Sequence, residues 1–172
     1  MLYFRVANFI RDSQFSILFY YAEKILMQTY QHILMALDYS SSDQYVIAKA
    51  LLLAELYRAT LSIIHVLDDI PMPDTAYGTR IALDKASDNH LLEIEKQHLI
   101  KLTDSLGIDH ARSWLVWGSP HQEITLLAAQ EQIDLIILGS HPKQGLSSLL
   151  SSTADSVLHH TQCDILAVRV PV

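Results

Sequence analysis

The residues with the most chemical potential lie together, in the stretch GSHPKQGLSSLLSST from Gly139 to Thr153. It follows the apolar run IDLIILG and precedes a segment of apolar periodicity ending near His160. Strand, glycine turn, hydroxyl-rich loop and helix, in that order, can cradle phosphate. Backbone N–H groups converge on the anion, and a helix start adds its positive end. Ser140, Ser147, Ser148, Ser151, Ser152 and Thr153 supply hydroxyl donors, and a helix is expected to start near Ser147. The same hydroxyls suit helix capping and loop solvation equally well. Other chemistry is missing. No G-x-G-x-x-G follows any strand, and neither a Walker loop nor a G-x-S-x-G nucleophile elbow occurs. The nine histidines lack ligand spacing, and the adjacent His159 and His160 point in different directions on a helix. Scattered surface histidine is the expected reading, with no metal site. Asp68 and Asp69 are expected to close a strand rather than hold a cation. No acid, base or nucleophile can be named, so the protein is not expected to be an enzyme.

The elements that must position this loop alternate regularly. HILMAL (His32–Leu37) is a short apolar run that reads as a buried strand, followed by capping residues among Ser40 to Asp43. Val46, Ile47, Ala50, Leu51, Ala54 and Tyr57 recur at helical spacing, and ATLSIIHVL (Ala59–Leu67) is a second strand. DDIPMPDTAYG reads as a loop. Leu92, Glu95, Leu99, Leu102 and Leu106 mark a long helix stopped by Gly107, and ARSWLVWG is a third strand. Pro120 opens a helix carrying Ile124, Leu127 and Ala128, IDLIILG is a fourth strand, SSLLSSTADSVLHH a helix and DILAVRV the last strand. Strands alternating with helices imply a parallel sheet covered on both faces, with ligands outside the carboxyl ends of its strands. Those ends are Asp38, the stretch from Val66 to Asp69, Gly118 and Gly139.

Bulk properties exclude several classes. A chain of 172 residues, 50% hydrophobic and 18% charged, holds one sizeable core and is not a disordered protein. A formal net charge of -7 argues against general affinity for nucleic acid or acidic membranes. The single cysteine, Cys163, precludes an internal disulfide and fits a reducing cytoplasm. It is expected to be a small half-buried residue. Residues 1–27 read as an extension and 28–172 as the domain. Within the extension, Phe15, Leu18, Phe19, Ala22, Ile25 and Leu26 follow helical spacing. Three readings stand: a helix docked on the domain or a partner, a membrane-surface anchor, or a segment outside the native product, because Met27 starts a natural beginning. The last is preferred, since a domain complete without the segment has little need of it. N-terminal sequencing of protein made from the native message decides between them.

Taken together, YQHILMALDYSSSD, LSIIHVLDD, VWGSPHQEITLLAAQEQIDLIILGSH and GLSSLLSSTADSVLHHTQCDILAVRV resemble the universal stress protein family, over roughly Gln28 to Val170. The resemblance implies an α/β fold. This is a Rossmann-like five-stranded parallel sheet with helices on both faces, like that of the adenine nucleotide alpha hydrolases, in a homodimer serving stress responses. Many members bind ATP through G-x-x-G, nine residues, then G-[ST]. Here the first glycine is Gly139, the second position is Pro142, the third is Ser152 and the hydroxyl position is Thr153. If a nucleotide binds, the resemblance implies contacts from Ala36, Leu37, Asp38 near the ribose, Val66 beside adenine, Gly139, Ser140, His141, Gly145, Ser152 and Thr153. The two lost glycines place the chain closer to the branch that does not bind ATP. Proline removes an N–H and fixes φ, and serine adds a Cβ where backbone should approach phosphate. No cofactor is therefore expected, with ATP the ligand if the loop still works. An adenylating ligase is disfavoured because DYSSSDQY lacks the glycines that such enzymes use after the first strand. For the dimer, DILAVRV is the expected edge strand, with Ile165, Ala167, Val168 and Val170 at the contact. Partners beyond a second copy are proteins that the sequence does not identify; neither nucleic acid nor membrane is expected.

Overall fold

The computed structural model describes residues 30–41, 43–68, 78–140 and 153–169. Apolar runs form the strands β1 (His32–Leu37), β2 (Thr60–Leu67), β4 (Ser113–Trp117), β5 (Leu135–Ser140) and β6 (Asp164–Arg169). All five are parallel, with spatial order β4-β2-β1-β5-β6. A sixth strand, β3 (Thr79–Arg80), lies antiparallel beside β4. The expected five-stranded parallel sheet is thus present, and its β4 edge carries a two-residue addition within what reads from sequence as the end of a loop. Flanking backbone bonds from Gly78 N–H to the Trp117 carbonyl (2.9 Å) and from Ile81 N–H to the Leu115 carbonyl (2.8 Å) hold it there. Arg80 also bonds Gln130 and Glu131, and its guanidinium lies 5.9 Å from the Trp114 ring centre.

Among the described residues, four α-helices cover the sheet: α1 (Asp43–Tyr57), α2 (His90–Leu106), α3 (Pro120–Gln130) and α4 (Thr153–His160). Successive strand side chains point to opposite faces, so each strand feeds two cores. Ile33, Met35 and Leu37 of β1 join Val46 and Ala50 of α1 and Leu92 and Leu99 of α2. Leu34 of the same strand joins Ile124, Leu127 and Ala128 of α3 and Ala154 and Val157 of α4. Strands β1 and β5 are buried throughout their central residues, as strands covered on both faces must be.

Local signals place the helix ends. Asn89 caps α2, its side chain accepting from Leu91 and Leu92 N–H. Gly107 ends that helix in the left-handed region at φ 66°, where glycine carries no Cβ penalty. Pro120 occupies the first turn of α3, where its missing N–H costs nothing. Buried Lys96 is satisfied rather than orphaned: its Nζ donates to the Lys85 carbonyl and pairs with Glu93 at 3.1 Å.

Candidate functional site

Strand order runs outward in opposite directions from β1 and β5, so a crevice opens at their carboxyl ends. A cavity of about 360 Å³ occupies it. Its floor and walls come from Ala36, Leu37 and Asp38 at the end of β1, Ile64, His65 and Val66 of β2, and Leu138 and Gly139 of β5. The first turns of α1, α3 and α4 contribute Asp43, Pro120 and Thr153, with Ile124 further along α3. The fold therefore gathers six of the residues implied by the family resemblance, Ala36, Leu37, Asp38, Val66, Gly139 and Thr153, around one space. Ser140, the last residue of β5, pairs with Arg169 in the sheet and is not among the lining. His141, Gly145 and Ser152 lie outside the described residues, as does the expected helix start near Ser147; the described helix begins at Thr153. Asp68 lines the cavity rather than merely closing β2, and Asp69 lies outside the described residues.

The turn after β1 is the most constrained part. Tyr39 adopts a left-handed φ of 58°, a conformation that costs a residue with a Cβ on the order of 1 kcal/mol. Two contacts hold it. Its N–H donates to Asp43 Oδ2 at 2.9 Å, and its ring is sandwiched between His65 and His98, with centroids 3.8 and 4.0 Å away. Ser40 N–H donates to Asp38 Oδ1 at 3.0 Å, completing an Asx turn. The expectation of scattered surface histidines fails at His65, which is 8% exposed. Its Nδ1 donates to the Leu37 carbonyl at 2.8 Å, and Nε2 lies 3.7 Å from Glu95 Oε2. Burial lowers the His65 pKa against the opposing pull of the Leu37 carbonyl and the Glu95 carboxylate. The Tyr39 hydroxyl and Glu95 Oε2 are buried without a hydrogen-bond partner among the described residues. This stack escaped the sequence reading, although a lone histidine inside the apolar run TLSIIHVL was its signal.

Four carboxylates, Asp38, Asp43, Asp68 and Glu95, line the cavity, with no lysine or arginine among its described lining. Burial and the neighbouring Asp38 charge, together with a hydrogen bond shared with Asp38, raise the Asp43 pKa from 3.8 to about 7. Backbone donors oppose this without cancelling it. Because the folded value exceeds the unfolded one, the folded chain holds the extra proton. Stability from this group is full below about pH 4 and is lost as pH rises through about 7. Asp43→Asn keeps an acceptor for Tyr39 N–H and removes the titration. We expect it to raise the melting temperature more at pH 8 than at pH 5, in thermal unfolding followed by circular dichroism. An equal effect at both values would refute the pairing.

Cys163 is half-buried as expected, and burial raises its pKa, which suppresses thiolate reactivity. No helix among the described residues is long and apolar enough to cross a membrane, and among them no group of three or more histidine, cysteine or carboxylate residues has metal-ligand geometry.

Residues 29–169 match the model of the universal stress protein family. Universal stress protein A homolog 1 of Coxiella burnetii is 34% identical over 141 residues, covering 81% of this chain and 96% of that protein. Universal stress protein A homolog 2 of the same organism is 34% identical over 145 residues, covering 84% of this chain and 98% of that protein. A crystal structure described as a universal stress protein in complex with cAMP superposes with a TM-score of 0.62 at 19% identity, over 83% of this chain and 98% of that one. With the Rossmann-like sheet and the carboxyl-end crevice in place, this chain belongs to the universal stress protein family.

Proposed function

We propose that the chain is a non-catalytic, dimeric stress-response protein of the cytoplasm whose crevice binds ATP weakly or not at all. The observation that carries this reading is the acidic lining: four carboxylates face a space that a triphosphate would have to share. Like charges in a partly desolvated cleft repel strongly. Pro142 and Ser152 weaken the main-chain cradle in the same direction. The non-catalytic part is supported by how His65 is committed. Its Nδ1–H donates a hydrogen bond to a backbone carbonyl and its other nitrogen lies toward a carboxylate, not toward a hydroxyl or thiol that it could activate. Purified protein should release little or no nucleotide on denaturation, and calorimetric titration with ATP should give no micromolar binding. Micromolar ATP affinity overturns the reading.

A second reading, an adenine-nucleotide sensor, is favoured by the six gathered positions and by the cavity's volume, which lies in the range of small-molecule sites. The cAMP complex of a structural relative points the same way. A ligand with fewer phosphate charges suits the acidic lining better than ATP does. AMP binding tighter than ATP by the same calorimetry would select this reading.

For the dimer, β6 is the outermost strand of the sheet among the described residues, and a second copy pairing along it would extend the sheet across a two-fold axis. Ile165, Ala167 and Val168 lie on it, and Val170 falls outside the described residues. Val168→Lys is expected to yield monomers in sedimentation with an unchanged circular dichroism spectrum, since lysine can extend its charge past the half-buried position. A persistent dimer excludes this edge.

A further inference from the structure

Two of the four carboxylates that line the crevice sit on one short turn: Asp38, directly after β1, and Asp43, in the first turn of α1. Each holds a backbone N–H of that turn. Asp38 Oδ1 accepts from Ser40, and Asp43 Oδ2 accepts from Tyr39. The two side chains also hydrogen-bond to each other. An ionised carboxylate only accepts, so a bond between two of them needs a proton on one. The turn as it stands is therefore its singly protonated form. No lysine or arginine of the described lining stands in for that proton. The other titratable groups flanking this space are Tyr39 itself, His65 and Asp68 at the end of β2, and Glu95 and His98 on α2. Of these only the two histidines can carry positive charge, and burial lowers the His65 pKa.

Loss of the proton acts on the two carboxylates unequally. Tyr39 is pinned, because its ring is stacked between His65 and His98, and its N–H keeps Asp43 in place. Asp38 is exposed, so it is the group that can swing when both carboxylates are charged and repel. We propose that Asp43 positions Asp38 through a shared proton, and that the crevice therefore takes up a proton when it binds a nucleotide phosphate. With the proton, Asp38 stays folded back on Ser40 and the lining carries one negative charge fewer. Without it, two adjacent carboxylates confront the phosphate. An anion thus favours the protonated turn, and by linkage its affinity falls as pH rises through the range in which the pair titrates. The Asp43 pKa of about 7 puts that range at neutrality. For one linked proton the loss of affinity from pH 6 to pH 8 is roughly five- to tenfold. The coupling rests on the adenine-nucleotide reading of the crevice and assigns that site its regulation.

The probe is cAMP, whose phosphodiester keeps one fixed negative charge near neutrality and adds no titration of its own. Calorimetry of the full chain with cAMP should show the roughly five- to tenfold loss between pH 6 and pH 8. At pH 7 the measured heat should differ between PIPES and Tris buffers, which give up a proton with unequal enthalpy. Asp43→Asn cannot titrate, yet its amide can donate to Asp38 and accept from Tyr39 N–H, so it mimics the protonated turn. It should bind cAMP at pH 8 as tightly as the parent does at pH 6, with no buffer-dependent heat. A merely structural role for Asp43 would leave the pH profile where it was. In the ligand-free protein, the Ser40 amide should titrate by NMR with a midpoint of about 7 and stop titrating in Asp43→Asn. Absence of cAMP binding at pH 6 overturns the nucleotide reading, and the coupling with it. Equal binding at pH 6 and pH 8, or a Ser40 titration that survives in Asp43→Asn, overturns the coupling alone.

Discussion

Exchanging Pro142 and Ser152 together for glycine is expected to tighten ATP binding by about tenfold to a hundredfold. The reasoning starts from what a phosphate loop is made of. Its donors are main-chain N–H groups, so each position counts for its backbone, not its side chain. Pro142 withholds one N–H and fixes φ near -65°, and Ser152 interposes a Cβ and resists positive φ. Each misfit is worth on the order of 1 kcal/mol or more. The two ends of the loop are already in place, because Gly139 and Thr153 both line the cavity. Calorimetry on the parent, the two single variants and the double variant separates the contributions. Pro142→Ala adds a further distinction, since it restores the N–H without the glycine freedom. A double variant no tighter than the parent would move the blame from the loop to the carboxylates, and Asp43→Asn should then be the variant that gains affinity.

What the sequence made legible, and what it hid, divides along the length scale of the signal. The strands ending at the crevice announce themselves as apolar runs; β1 occupies His32–Leu37 as read, and β5 is buried as a strand covered on both faces must be. The switch point then follows from connectivity alone, which brings Asp38, Val66 and Gly139 to one space. Two-residue β3 carries no periodicity, because its pairing is written in the backbone of Gly78 and Ile81, not in side chains. The Tyr39–His65–His98 stack was hidden for a different reason. It joins a turn, a strand and a helix distant in sequence, and Tyr39 enters it only through a left-handed φ that its residue type disfavours. Glu95 reads from its spacing as one more position of a helical stripe, yet α2 aims its carboxylate at His65. Local pattern finds the frame of such a site, and tertiary contact decides its polarity.

Gly118→Ala is expected to cost roughly 1–3 kcal/mol, lowering the melting temperature by roughly 3–10 °C. Gly118 follows β4, and its N–H donates to the Leu67 carbonyl at 3.0 Å, so its position is fixed by the sheet. A Cβ there would stand 2.5 Å from Glu123 Oε1 and 2.8 Å from Glu123 Cγ. A flexible surface glutamate would swing away, but Glu123 is only 7% exposed and packs its carboxylate against Gly78 as well. Burial also raises the Glu123 pKa. The clash must therefore be relieved by moving the start of α3, which places Pro120 and Ile124 in the cavity wall. Pairing Gly118→Ala with Glu123→Ala removes the clashing atoms but leaves the φ of 158°, which residues with a Cβ rarely adopt, so in that background the penalty should shrink without vanishing, a coupling of about 1 kcal/mol in a double-mutant cycle. Chemical denaturation of the four proteins measures it. An undiminished penalty without Glu123 would place the whole requirement for glycine in the φ of the turn, whereas a reduced one assigns the difference to Glu123, which packs the α3 wall of the crevice against Gly118.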